Sequence, residues 1–225
     1  SMIANVLSYL YQIVMGNMLT PADYGTVNTL LSLSVVVGVP SGVVAALTAT
    51  YTAKYHAHGE TAALAAFMHR MLRAAAVLAA AVFAVGALLS LPIAHVLQID
   101  EPWYVTTVMI LVASNCLGPV FSSTLQGVKR FVPYSMNSVL SFALRLLLGT
   151  AFVWLGWGIA GALAALILSA CLAMLYCLYK SRDLFFAPKT EQLHLDRDEV
   201  RRYFVSTFWF QLFLLLMANG DVLLI

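Results

Sequence analysis

The chain has 225 residues, 62% of them apolar and only 10% charged, against about 25% charged in an ordinary soluble domain. Its net charge of +2 comes with no basic surface domain, so nucleic-acid binding is excluded as a role. Residues 24–53, 74–99, 103–128 and 146–179 contain no Asp, Glu, Lys or Arg, and each run exceeds the roughly 18 residues that mark a bilayer-spanning helix, which defines an all-α integral membrane protein.

In chain order, the apolar runs predict a polytopic transmembrane helix bundle of six spans plus the start of a seventh. The first, residues 2–16, is short for a bilayer core that needs about 20 helical residues. It is not a signal peptide, because no basic segment precedes it and no small-residue cleavage site follows. The second, 26–52, is interrupted at Gly38-Val-Pro40-Ser-Gly42, and the fourth, 103–125, at Gly118-Pro119. Proline removes an i to i−4 hydrogen bond and allows a bend, either as part of a transport mechanism or as a static kink. The third span is placed at 72–97, the fifth at 133–155 and the sixth at 157–180. Small-residue stretches, Ala74-Ala75-Ala76 and Gly158-Ile-Ala-Gly161-Ala, allow close helix packing. A seventh apolar run starts near Tyr203 and is still apolar at Ile225. The chain is therefore expected to be a piece of a longer protein, with residues 1–180 as a first lobe, 181–202 as a cytoplasmic linker and 203–225 as the start of a second lobe. Within the linker, Asp196 with Glu199 resembles a capping box that starts the seventh helix.

Charge sets the expected orientation. Lys54, Arg70 and Arg73 fall before span three, Lys129 and Arg130 before span five, and six further basic residues between Lys180 and Arg202. The intervening links hold only Asp23, then Asp100 and Glu101, then no charge. Lys and Arg thus occupy every second link, the positive-inside pattern, which places the N-terminus on the cytoplasmic side. Trp103, Tyr104, Trp154 and Trp157 fall at the expected outer interface, and Tyr51, Tyr55, Tyr134, Tyr176 and Tyr179 at the inner one. Gly156-Trp157-Gly158 is nearly a bare turn, so spans five and six are antiparallel neighbours.

Arg145 is the sharpest functional signal. It lies about 12 residues, or about 18 Å, into the fifth span, too deep to reach either membrane face with ease. An arginine at that depth costs roughly 2.5–3.5 kcal/mol on insertion scales. It points either to an ion pair that holds helices together or to a cationic cavity group that receives an anion such as a phosphate. Asp221, the only acid within a span, sits nearer the outer face, so a water-lined cavity shared with Arg145 stands beside a direct bond. Asn115, near the middle of span four, is a candidate for the same cavity. Asn5, Gln12, Asn28, Asn137, Gln211 and Asn219 either line it or hydrogen-bond between helices.

The chain offers little for other chemistry. Cys116, Cys171 and Cys177 lie in apolar runs and read as small packers, not a disulfide framework. His56-Ala-His58 has no carboxylate and cysteine set beside it to complete a metal site. There is no phosphate-binding glycine loop, no G-x-S-x-G elbow and no H-E-x-x-H, so neither a cofactor nor catalysis is expected.

Two segments carry a family resemblance. "GNMLTPADYGTVNTLLSL" is similar to the first loop of bacterial polysaccharide flippases, matching at Leu19, Pro21, Tyr24 and Gly25, with Thr20 where a glycine is usual. "LQGVKRFVPYSMNSVLSFALRLLLG" followed by "WLGWGIAGALAA" is similar to their fourth-to-sixth helix region, matching at Gln126-Gly127, Arg130, Arg145-Leu146, Gly156, Gly158 and Gly161-Ala162. The chain thus resembles the oligosaccharide flippase group of the multidrug/oligosaccharidyl-lipid/polysaccharide (MOP) superfamily. The resemblance implies two helical lobes around a central cavity that opens alternately to either side of the bacterial plasma membrane. It implies a lipid-linked oligosaccharide with a pyrophosphate linker as cargo, with membrane lipids and the polysaccharide polymerase machinery as partners. Cationic cavity residues suit such cargo, and Arg145 occupies a fitting position, with Asn115 and Asp221 as the further substrate-binding candidates. The rivals are a multidrug-type exporter, which would be expected to carry a buried acid absent from spans one to six, a lipid II flippase of similar fold, and a membrane enzyme acting on lipid-linked sugars.

Overall fold

The computed structural model describes residues 2–59, 61–97, 101–185 and 197–218. Within them the chain forms helices and no strand. In order these are α1 (Met2–Met18), α2 (Pro21–Val37), α3 (Val39–Ala57), α4 (Thr61–Leu88), α5 (Ser90–Val96), α6 (Pro102–Gly127), α7 (Phe131–Trp154), α8 (Gly158–Phe185) and α9 (Arg197–Ala218).

Among the described residues, four segments are long and apolar enough to cross a bilayer: Ala62–Leu88, Trp103–Gly127, Phe131–Trp154 and Gly158–Phe185. Helices α2 and α3, bent by 48° at Gly38, make a fifth when taken as one broken span. The described residues thus give up to five of the six spans and part of a seventh expected. The first expected span corresponds to α1, which has only 17 residues. The last corresponds to α9, which opens on the charged run Arg197-Asp-Glu-Val-Arg-Arg202.

Four helix ends differ from those expected. The third span was expected at 72–97, but its helix starts at Thr61 and ends at Leu88, so Arg70 and Arg73 ride inside it. Long basic side chains lie along a helix with their charge at its periphery, so they do not end it. Pro92 does the terminating: it lacks the N–H that would bond the Leu88 carbonyl, and the chain restarts as the short α5. Gly118-Pro119, by contrast, does not break α6, which runs continuously past Pro119. Helix α8, the sixth expected span, continues to Phe185, and α9 begins before Tyr203, so the segment between them is shorter than the linker expected at 181–202. The expected capping box rests on Asp196, which lies outside the described residues.

Local chemistry sets the turns. Thr20 is the N-cap of α2: its hydroxyl accepts the Asp23 backbone N–H at 3.2 Å and donates to the Asp23 carboxylate at 2.8 Å. Pro21 follows at the first helical position, where its missing N–H costs nothing. Helix α7 ends with Gly156 in the left-handed region at φ +85°, its N–H on Val153 and that of Trp157 on the Phe152 carbonyl. This paired closure satisfies two helix-end carbonyls and reverses the chain in a few residues. Helix α6 ends the same way, with Lys129 N–H on Gln126 and Arg130 N–H on Leu125, but the left-handed residue is Lys129 at φ 59°. A side chain there is strained, so Lys129→Gly is expected to raise the thermal unfolding midpoint in detergent, by about 0.5–1 kcal/mol of stability. A midpoint that falls would show that the lysine side chain contributes more than the strain removes.

Helix α6 is the centre of the bundle and packs against α3, α4 and α8, while α7 lies along α8, α1 along α7, and α9 along α3. One core cluster joins Leu30, Val105, Met109 and Val112 to Leu163 and Leu166, and another joins Leu64, Met68, Phe121 and Leu125 to Cys177 and Phe185. All three cysteines are free, as apolar packers require. Large apolar side chains such as Val77, Leu88, Leu147 and Trp154 face outward, which in hydrocarbon costs nothing.

Candidate functional site

Helix α7 carries Asn137, Ser141 and Arg145 at four-residue intervals. That spacing stacks them on one face, about 6 Å apart along the axis. The face lines two adjoining cavities. One, of about 300 Å³, is bordered by Arg145, Ser141, Asn115, Ser34 and Ser169. The other, of about 470 Å³, is bordered by Asn137, Ser141, Asn115, Ser34, Ser41 and Ser122. Ser34, Asn115 and Ser141 belong to both, so the two form one polar space between α2, α3, α6, α7 and α8.

The helix irregularities face this space. Gly38, at the α2–α3 break, and Gly118 with Pro119 of α6 all border the larger cavity. Pro119 has no N–H to offer the carbonyl of Asn115, four residues earlier. Asn115 therefore presents both its side-chain amide and a backbone carbonyl relieved of its usual helical partner. Unsatisfied backbone at membrane depth is tolerated where it borders a cavity that water or a ligand can enter.

Arg145 is half-buried, and its guanidinium carbon lies 4.2 Å from the centre of the Tyr11 ring on α1. Its Nε is buried and has no hydrogen-bond partner. Tyr11 is itself buried and held in a tight contact: a Cβ on Gly149 would stand 2.9 Å from Tyr11 Cε2 and 3.1 Å from Met15 Cε. The ring occupies one face of the guanidinium, an attraction of about 2 kcal/mol when desolvated, and leaves the in-plane N–H donors for another group. Among the described residues no carboxylate pairs with Arg145. The ion pairs found, Arg130–Asp183 at 3.9 Å and Arg182–Asp183 at 3.6 Å, lie on exposed side chains at the end of α8. Asp221 lies outside the described residues.

The other amides divide. Asn137 borders the larger cavity, and its Oδ1 is buried with no partner. Asn5, Gln12 and Asn28 are exposed and border neither cavity. Gln211 packs on α3 where Gly42 leaves room for it. The serines were not anticipated from sequence. Hydroxyls in apolar helices normally bond their own backbone, and several here do: Ser34 donates to Leu31 O at 2.6 Å, Ser41 to Gly38 O at 2.6 Å and Ser114 to Ile110 O at 2.9 Å. Only their shared inward direction marks them, and that requires knowing how α2, α3 and α6 meet. The described residues contain no group of three His, Cys, Asp or Glu that could hold a metal.

The chain is thus a multi-pass membrane protein, helical through its described residues, whose helices line a polar space with an arginine at one end. It belongs to the family described as polysaccharide biosynthesis protein, whose model matches residues 1–225. Among solved structures, it is similar to a MOP superfamily transporter from Pyrococcus furiosus, with a TM-score of 0.69 and 17% identity over 94% of this chain and 50% of that one. It is similar to the same degree, with a TM-score of 0.69 and 18% identity over 94% and 50% of the two chains, to a MATE family multidrug resistance transporter of the MOP superfamily in an outward-facing conformation. At these identities the likeness establishes the fold, and the chain spans about half the length of either transporter. No curated protein matches the chain.

Proposed function

We propose that this chain forms one lobe of a transporter that flips a pyrophosphate-linked, lipid-anchored oligosaccharide across the bacterial plasma membrane for surface polysaccharide synthesis. The observation that carries the reading is Arg145, a cation on a serine- and asparagine-lined cavity with a buried, unpartnered Nε and no carboxylate beside it among the described residues. A permanent charge so placed is costly unless an anion visits it. A pyrophosphate headgroup cannot cross hydrocarbon unaided, whereas the lipid tail can remain in the bilayer throughout. Rocking of one lobe against the other then moves the opening of the cavity from inside to outside. Asp221 remains a candidate second contact from the other lobe. The basic residues at the α3, α6 and α8 ends, Lys54, Lys129, Arg130, Lys180 and Arg182, support an orientation with these ends and the N-terminus in the cytoplasm.

The test is genetic and chemical together. The full-length gene is deleted in its host and restored, and surface polysaccharide and lipid-linked precursor are measured on each membrane face. Loss of surface polymer with precursor held on the inner face supports flipping. Unchanged surface polymer in the deletion overturns the cargo assignment and returns the exporter reading.

A further inference from the structure

The polar space is not chemically uniform along α7. At the Arg145 end the unsatisfied group is a donor, the buried Nε–H. At the Asn137 end, two helical turns earlier and about 12 Å away, the unsatisfied group is an acceptor, the buried Oδ1. Ser141 lies between them and borders both cavities. Three of the serines that border the Asn137 end, one of them shared with the Arg145 end, offer acceptors rather than donors. Ser34, Ser41 and Ser114 each commit their hydroxyl proton to a carbonyl of their own helix, which leaves oxygen lone pairs for the cavity. The carbonyl of Asn115, relieved of its helical donor by Pro119, adds one more. Asn115 and Asn137 also carry amide N–H donors, so this end is a neutral surface of donors and acceptors without a cation, and its natural complement is a group that both gives and takes hydrogen bonds, such as a sugar hydroxyl.

From this juxtaposition we infer a two-part headgroup site: an anion subsite at Arg145 and, two turns toward the N-terminus of α7, a neutral polyol subsite at Asn137 that takes the first sugar of the cargo. The inference rests on the flippase reading and deepens it, because it assigns the glycan its own recognition group and a direction along α7. The cargo is then read twice. Arg145 selects the phosphate common to all lipid-linked sugars, and Asn137 selects for a sugar attached to it. Asn137 has no hydrogen bond elsewhere among the described residues, so turning its amide toward a sugar hydroxyl breaks none and pairs an acceptor otherwise left buried.

The test uses the full-length protein in lipid nanodiscs and two probes, farnesyl pyrophosphate and farnesyl-pyrophosphoryl-N-acetylglucosamine, with binding read by calorimetry. Arg145→Gln is expected to weaken both probes at least tenfold. Asn137→Leu is expected to weaken the sugar-bearing probe five- to tenfold and to leave farnesyl pyrophosphate within twofold of wild type. The retained affinity for the unglycosylated probe serves as the folding control, and Asn137→Ser provides a smaller substitution with the same selective direction. If Asn137→Leu and Asn137→Ser weaken neither probe, or both equally, while Arg145→Gln still weakens both, the polyol subsite is overturned and the anion site stands. If Arg145→Gln leaves farnesyl pyrophosphate binding unchanged, the anion site is overturned and the two-part site with it.

Discussion

Arg145→Ala is expected to abolish delivery of surface polysaccharide while the protein remains in the membrane at normal levels. Charge-assisted hydrogen bonds contribute about 1.5–3 kcal/mol each, so loss of the guanidinium weakens anion binding from about tenfold to more than a hundredfold. Stability should respond differently. The wild-type charge is half-buried, has no carboxylate partner among the described residues and is offset mainly by the Tyr11 ring at 4.2 Å. Its removal relieves a desolvation cost of roughly 2.5–3.5 kcal/mol and loses a contact worth about 2 kcal/mol. The unfolding midpoint is therefore expected not to fall. An arginine that held helices together by an ion pair would behave oppositely, since breaking a buried pair typically costs about 3–5 kcal/mol. A marked drop in the midpoint of Arg145→Ala, with lost expression, would thus favour the structural role. Arg145→Lys retains the charge but not the planar fork or the flat face that stacks on Tyr11, so partial transport at most is expected from it.

The second large effect is expected at Gly127, where α6 meets α3. A Cβ there would stand 2.7 Å from Thr52 Cβ, 2.8 Å from Thr52 Cγ2 and 2.9 Å from the Ala49 carbonyl oxygen. Thr52 is fully buried and the Ala49 oxygen is backbone, so neither yields by a rotamer change. The helices must separate. Overpacking of this kind costs about 1–3 kcal/mol, and Gly127→Leu belongs at or above the upper end. The damage is not confined to stability, because α3 supplies Ser41 and α6 supplies Asn115 and Ser122 to the polar space. Gly127→Leu is expected to lower the yield of folded protein in detergent and its unfolding midpoint together, with Gly127→Ala intermediate. A Gly127→Leu protein with wild-type midpoint would show that α3 and α6 do not pack this closely.

Of the residues that decide these effects, some could be read in one dimension and some could not. Apolar run length and charge spacing are properties of the chain alone, because the bilayer imposes the same thickness on every crossing helix. They were enough for the all-helical membrane class, the broken helix at Gly38 and the approximate position of four crossings. They also isolated Arg145, since a charge at mid-span is anomalous whatever surrounds it. Composition misjudged where helices end when the terminator was a backbone effect: Pro92 stops α4 from four residues beyond its end, whereas Arg70 and Arg73, read as a link, lie inside the helix.

Tertiary structure alone decided what Arg145 faces. Tyr11 lies 134 residues away in the chain and reaches the guanidinium because Gly149 leaves space for it beside Met15. No pattern in α1 announces that contact. The serines are a stronger case, for Ser34, Ser41 and Ser114 look like ordinary back-bonded hydroxyls until three helices turn them toward one space. Local sequence determines which solvent each segment lives in, because burial in lipid is set by the segment's own composition. Which polar groups meet is determined by helix rotation and crossing, and those depend on side-chain packing between segments far apart in the chain.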